Sequence, residues 1–557
     1  VTSPNDADAA PATPAEPATP GSSPGARSDA APGRSVSGTA AKVAGAAVLI
    51  TVLTAVARIA GFGRTFVFLH TVGNKNLADI YNAANTIPNI VFELVAGGAL
   101  ASLVVPLLAG HVAAGDRRRV NEVASALLTW VLALLIPAAV LVMLLAGPIA
   151  GLLPKVPPDH QEVAASMLRV FAPQLPLYGV GIVLTGVLQA HHRFAWPVIA
   201  PLLSSVTVMG AYLAYAVIDG AKTDFAGLST PGELALSAGT TFGVVVLSLC
   251  LVIPLRRVGL RLRPAFRFPG GEGRQAVRLG WAGAVTVGSQ QVMTLVVVLL
   301  TASAGLTNYT AAQTVFLLPW AVLAVPLATA VYPRLSASAA QGDEDGFRAA
   351  LSGTARTVVL LAGLGAAALV ALAVPATVLL GARPAAAGIV GFAPGLFGYA
   401  LFALLSRALY ARGATASAAY STAIGWAVAA VAGLLLGQSG AARQMFGLGL
   451  ANAIGMTVLA VLLVVAVRRH AGTAALAGLP RALVAAVVAA AAAGLAGWGV
   501  VAGLTAAFWP AAGILGSLVE GVLGGLAVVV VFVAVAFLLD RRDLSPLAGT
   551  LTRRLRR

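Results

Sequence analysis

From residue 43 onward, long apolar runs alternate with short polar breaks, and most of the runs exceed the roughly 20 residues that a helix needs to cross a bilayer. The runs predict spans near 43–70, 77–112, 120–153, 162–190, 196–218, 233–255 and 276–303. A second set is expected near 309–334, 347–380, 386–411, 415–437, 445–467, 481–506 and 515–539, about fourteen spans in all. The fold class this implies is all-α and polytopic. Residues 1–40, rich in Ala, Pro, Ser, Thr and Asp, read as a disordered cytoplasmic tail without the apolar core of a signal peptide, and Val1 as the product of an alternative start codon.

Two stretches 227 residues apart share a pattern. One runs Leu-Val-Val-Pro to Gly-Asp, ending at Asp116; the other runs Ala-Val-Tyr-Pro to Gly-Asp, ending at Asp343, with Pro106 and Pro333 at the same distance from their aspartates. The preceding prolines, Pro88 and Pro319, fall out of step, which suggests a local insertion. With six helices between the copies, the repeats run parallel through the membrane. That predicts two six-helix lobes, 41–270 and 271–470, related by an axis along the membrane normal, with 471–557 as an additional helix pair and basic cytoplasmic tail.

Composition sharpens this picture. Hydrophobic residues make up 59% and charged residues 10%, with mean hydropathy +0.90, which excludes an ordinary soluble fold. A net charge of +16 would point to nucleic acid in a soluble protein, but here it tracks topology, so no nucleic-acid partner is expected. Alternate breaks hold Arg117 to Arg119, Arg193, Arg256, Arg257, Arg261, Arg263, Arg267, Arg274, Arg278, Arg468, Arg469 and Arg481, and the carboxy tail adds more. The intervening breaks hold only Lys75, Lys155, Lys222, Arg383 and Arg443. The positive-inside rule then puts both termini in the cytoplasm. A single cysteine, Cys250, excludes an internal disulfide and reads as a small core residue.

Against this apolar background a few polar side chains stand out. Arg58 and Arg64 lie six positions apart in the first span, about 600° of helical rotation, so they share a broad face about 9 Å apart along the axis. A guanidinium costs roughly 2.5 to 3.5 kcal/mol at the middle of a spanning helix and normally faces a watery cavity. Two such forks suit a diphosphate; the alternative is a structural pair with Arg64 snorkelling to an interface. Asp79, Asn82, Asn85, Asn89 and Glu93 form a stripe along the second span, either lining that cavity or bridging to the arginines. Pro88 and Gly97-Gly98 interrupt this helix, predicting a bend. Gln290, Gln291 and Gln313 put amides in the second lobe, as interhelical hydrogen-bonding groups or cavity lining. His191 and His192 lack metal-ligand spacing, no cofactor motif is recognisable, and no carboxylate cluster supports an enzyme.

The run Ala57 to Pro106 resembles the MurJ (MviN) lipid II flippases of the multidrug/oligosaccharidyl-lipid/polysaccharide exporter superfamily, in their actinobacterial form. Further likeness lies in Thr185 to Pro201, Leu317 to Ser336 and Ser406 to Thr415. The resemblance implies two lobes around a central cavity, alternately open to each side, and a last helix pair offering a groove to a lipid tail. It implies a cytoplasmic-membrane flippase for peptidoglycan biosynthesis, which moves a lipid-linked cell-wall precursor and works beside membrane lipids and cell-wall synthesis proteins. By the resemblance, Arg58 and Arg64 match the family's cavity arginines, Asp79 its acidic position and Pro88-Asn89 its turn. The chain departs from the family's pattern at Thr65, Glu93, Gly97 and Thr314. Export of another polyprenyl-linked oligosaccharide or a cation-coupled small molecule, and a transport-inactive scaffold, are the competing readings.

Overall fold

A computed structural model describes residues 53, 56–153, 156–191, 193–222, 224–259, 262–268, 272–301, 305–438, 441–507 and 513–540. The amino-terminal tail, the start of the first expected span, His192, Lys155, Arg261 and the carboxy tail lie outside the described residues, as do the side chains of Pro106, Arg274 and Arg278.

The helices in chain order are α1 (56–71), α2 (Asn76–Phe92), α3 (Gly98–Ala113), α4 (Arg117–Leu144), α5 (Ala146–Gly151), α6 (Pro158–Phe171), α7 (Gln174–Ala190), α8 (Ala195–Ile218), α9 (Thr230–Leu249) and α10 (Val252–Val258). They continue as α11 (Glu272–Thr301), α12 (Leu306–Pro319), α13 (Val325–Gln341), α14 (Glu344–Leu380), α15 (Ala385–Phe392), α16 (Gly395–Ala411), α17 (Thr415–Leu436), α18 (Ala441–Ala471), α19 (Leu479–Ala507) and α20 (Ile514–Leu539). Among the described residues, eleven helical segments are long and apolar enough to cross a membrane, or twelve if the bent pair α15 and α16 counts as one span. The fourteen spans expected from the sequence are therefore not all matched: the first stretch is only partly described, and α2 with α3 is helical without being among the eleven.

The outer surface is apolar, as lipid requires and water does not. On α20, Leu515, Val522, Leu526 and Val530 are exposed while Ser517, Glu520, Gly524 and Val528 are buried, a lipid stripe opposite a packing stripe. Small residues let α19 and α20 approach each other and α14. A Cβ on Gly497 would meet Val528 at 2.5 Å and Ala371 at 2.8 Å. This pair carries more polarity than its composition suggests: Thr505 donates to the buried Glu520 carboxylate at 2.7 Å. Cys250 is buried, as expected of a core residue.

The repeat reappears as matching geometry. Each copy passes through a five-residue π turn, Glu93–Gly97 in one and Trp320–Ala324 in the other, and these turns are 227 positions apart, as are Asp116 and Asp343. Beyond each turn a helix ends at a left-handed glycine, Gly115 (φ +70°) or Gly342 (φ +71°), a conformation that favours glycine because it has no Cβ. The next residue then caps the following helix: Asp116 accepts the Arg119 N–H at 2.9 Å, and Asp343 accepts the Gly346 N–H at 2.9 Å. No insertion separates the copies. Pro319 directly precedes its π turn, whereas Pro88 sits one helical turn earlier, so the two prolines are not equivalent positions.

At the end of the molecule where α13 turns into α14, the second copy is stitched together by arginines. Arg412, at the end of α16, pairs with Glu344 at 2.5 Å, donates to the His470 carbonyl at 3.2 Å and lies over the Phe347 ring. Arg348 donates to the Ala471 carbonyl, Arg356 to that of Ala477, and Arg481 pairs with Asp540 at 2.8 Å.

Candidate functional site

The polar side chains of α1 and α2 meet α8, α9 and α12 around a small hollow of about 90 Å³. Its lining includes Arg64, Thr65, Tyr81, Asn82, Asn85, Tyr212, Thr240, Thr307 and Thr310, with Phe68, Leu69 and Ala311 as its apolar wall. The tyrosines are fixed by each other: the Tyr81 hydroxyl lies 2.6 Å from that of Thr240 and 3.0 Å from that of Tyr212. Arg64 is exposed, and among the described residues its guanidinium forms no ion pair or hydrogen bond. The Asn85 carbonyl oxygen is buried without a hydrogen-bond partner. The hollow thus presents an unpaired cation and an idle amide oxygen among hydroxyl groups, an arrangement suited to a hydroxyl-bearing anion.

Asp79 has a different place. Its side chain is 2% exposed and reaches the amino end of α12, where one carboxylate oxygen accepts the Gly305 N–H at 2.8 Å and the other the Thr307 N–H at 2.7 Å. A negative charge at a helix amino terminus satisfies otherwise orphaned donors and opposes the helix dipole. Two neighbours reinforce the junction: Asn82 donates to the Thr307 hydroxyl at 2.9 Å, and Asn74 to the Asn308 amide oxygen at 3.1 Å. This closure between α2 and α12 lies at the end of the membrane opposite the arginine-rich turns.

Of the residues singled out in the sequence, the hollow gathers Arg64, Asn82 and Asn85. Arg58 is exposed outside its lining, Asn89 and Glu93 are half-buried further along α2 and at the π turn, Gln290 is exposed on α11, and Gln313 is half-buried on α12. Sequence reasoning missed Tyr81, Tyr212, Thr240 and the Thr307–Thr310 pair. Hydroxyls are scattered through these helices, and only the fold reveals that these ones converge.

Elsewhere, an apolar groove of about 350 Å³ opens where α19 meets α14, α16 and α18, lined by Val370, Phe397, Phe446 and Val487 among others.

A helical, lipid-facing shell around an internal polar hollow, with two helices broken at matching points, defines a multi-pass membrane transporter. The fold agrees with solved transporters. It aligns with a structure described as "Lipid II flippase MurJ, inward closed conformation" at TM-score 0.69 and 16% identity, covering 88% of this chain and 99% of that one. It also aligns with an inward-facing MATE-family transporter of the MOP superfamily at TM-score 0.57 and 15% identity, covering 76% and 94%. The profile of the family described as "Lipid II flippase MurJ" matches residues 68–523, and the chain belongs to that family. Similar relatives include a probable lipid II flippase MurJ of Synechocystis, 29% identical over 41% of this chain and 43% of the relative, so that match spans less than half of the relative's length. A lipid II flippase MurJ of Burkholderia cenocepacia is 25% identical over 65% of this chain and 73% of its own.

Proposed function

We propose that this chain carries lipid II, the undecaprenyl-diphosphate-linked peptidoglycan precursor, from the inner to the outer leaflet of the cytoplasmic membrane by alternating access. No bond is made or broken. The observation that carries this reading is Arg64, a guanidinium in the lining of the polar hollow that has no ion pair among the described residues, while the nearby carboxylate of Asp79 is committed to the backbone of α12. The charge left for a ligand is therefore positive, which favours a diphosphate over a cationic cargo. Arg58, Asn89, Glu93, Gln290 and Gln313 join the headgroup path in the open states.

At about 90 Å³ the hollow is far too small for a sugar-peptide headgroup, which enters when the lobes part. We assign 41–270 and 271–470 to those lobes and 471–557 to the additional pair and tail. The prenyl chain stays in lipid along the groove beside α19, avoiding the cost of burying a polar headgroup in hydrocarbon. With the arginine-rich turns cytoplasmic, the Asp79 junction closes the outer side. A membrane potential biases the cycle, at ~2.3 kcal/mol per charge per 100 mV.

The test is a leaflet-accessibility assay for lipid II in cells depleted of this protein and complemented with wild type or Arg64→Ala made at equal level. Wild type restores outer-leaflet lipid II and Arg64→Ala does not. Full restoration by the variant would favour a transport-inactive scaffold.

A further inference from the structure

A polar pocket lies away from the hollow, at the arginine-rich end of the amino-terminal half. It encloses about 380 Å³ between the α3–α4 turn and the ends of α7 and α10, and its rim carries Arg117, Arg193 and Arg257 against one carboxylate, Asp116. Among the described residues none of these three guanidinium groups forms an ion pair or hydrogen bond.

Positive-inside topology explains why arginines lie on this face, but not why these three have no carboxylate partner among the described residues. The second copy shows the alternative. Glu344 opens α14 and is the residue 227 positions beyond Arg117, which opens α4. In the second copy the helix-ending Arg412 closes onto Glu344; in the first, the helix-ending His191 and Arg117 stand around an open space. With glutamate replaced by arginine at one position and arginine by histidine at the other, the first copy has a cationic pocket where the second has an ion pair.

A second cavity adjoins the first. About 360 Å³ in volume, it lies between α3 and α7, is lined by Val105, Ala109, Val112, Ala113, Ala190 and Phe194 with Gln189 as its polar member, and shares Val112 with the basic pocket. A cationic chamber joined to an apolar one matches an amphiphile with a phosphate head and a hydrocarbon chain. Basic pockets between spanning helices on the cytoplasmic side bind such headgroups. We propose that this paired cavity is a binding site for an anionic phospholipid of the leaflet on the arginine-rich side, with its phosphate held by Arg117, Arg193 and Arg257 and one acyl chain laid between α3 and α7. The site is distinct from the hollow and stands whether or not the transport reading does.

The full-length chain in detergent is titrated with phosphatidylglycerol, phosphatidylcholine, inorganic phosphate and undecaprenyl diphosphate, with binding read by native mass spectrometry and thermal stabilisation. Phosphatidylglycerol is expected to bind at least about tenfold tighter than phosphatidylcholine, since each nearby basic residue contributes on that scale. Combined Arg117→Ala, Arg193→Ala and Arg257→Ala should erase the preference, the corresponding lysine triple should keep most of it, and Arg118→Ala with Arg256→Ala, on the same face but outside the lining, should leave it intact. Should the alanine triple not fold, Ala109→Trp, which fills the apolar chamber, is expected to lower phosphatidylglycerol affinity by a similar factor. Equal binding of the two phospholipids, stabilisation by inorganic phosphate as strong as by phosphatidylglycerol, loss of undecaprenyl diphosphate binding in the alanine triple, or unchanged phospholipid selectivity in both the triple and the Ala109→Trp variant would each overturn the assignment.

Discussion

The Asp79 carboxylate accepts the backbone N–H of Thr307 at 2.7 Å, joining two helices whose contact residues are 228 positions apart in the chain. With the bond to Gly305, it ties α2 to the first turn of α12 using donors that the helix cannot satisfy itself. Asp79→Ala leaves both N–H groups without an acceptor, at about 1–3 kcal/mol for each that stays buried. In a background where Cys250 is replaced by alanine, a cysteine at Thr310 should become markedly more reactive to a membrane-impermeant thiol reagent when Asp79 is also replaced. Unchanged labelling would mean that the junction is not what holds this end shut.

Arg64 and Arg58 should separate in their effects, because only Arg64 lines the hollow. Arg64→Ala is expected to reduce lipid II translocation at least about tenfold, the scale on which charge-assisted hydrogen bonds act. Arg64→Lys should retain part of the activity, since it keeps the charge and loses the fork. Arg58→Ala should be milder than Arg64→Ala. Equal losses in the leaflet assay would mean that lining the hollow does not set Arg64 apart from Arg58.

Close helix packing gives a stability prediction. A Cβ on Gly398 would lie 2.4 Å from the Met456 carbonyl oxygen and 2.6 Å from its carbon, backbone atoms that cannot rotate aside. Gly398→Val should cost about 1–3 kcal/mol, read as a lower midpoint of thermal unfolding in detergent. Gly499→Ala, with nothing within 4 Å of the added carbon, should leave that midpoint unchanged or raised.

The bond from Thr505 to Glu520 pins α19 to α20 within their apolar contact. A double-mutant cycle with Thr505→Val and Glu520→Gln should give a coupling of about 0.6 to 1.7 kcal/mol, the range for polar contacts between spanning helices. A coupling near zero would show that Glu520 is satisfied without Thr505.

The helices were largely legible because apolar runs of spanning length leave little choice of structure in lipid, and the repeat because Gly-Asp after a helix specifies a left-handed turn and a cap. The hollow was only half legible. The three- and four-residue spacing of Asp79, Asn82 and Asn85 fixes a common face of α2, but spacing says nothing about which neighbour each side chain meets. Asp79 goes to the end of α12, Asn82 bonds Thr307 at the edge of the hollow, and Asn85 opens into it. Thr240 gave no signal, since a threonine in a spanning helix usually bonds its own backbone, as Thr207 does to Leu203, and Tyr212 gave none because nothing in its spacing marks which neighbour its ring meets. The π turn in α12 was equally silent, as its residues are ordinary apolar ones.

The two wide turns have a mechanical corollary. Each stores one surplus residue in an otherwise regular coil, and migration of that surplus by a single position re-aims the residue it passes by about 100° without breaking the helix. The side chains first re-aimed by such a shift are Glu93 on one coil and Trp320 on the other, a change made by winding, like a pair of matched swivels, rather than by unfolding.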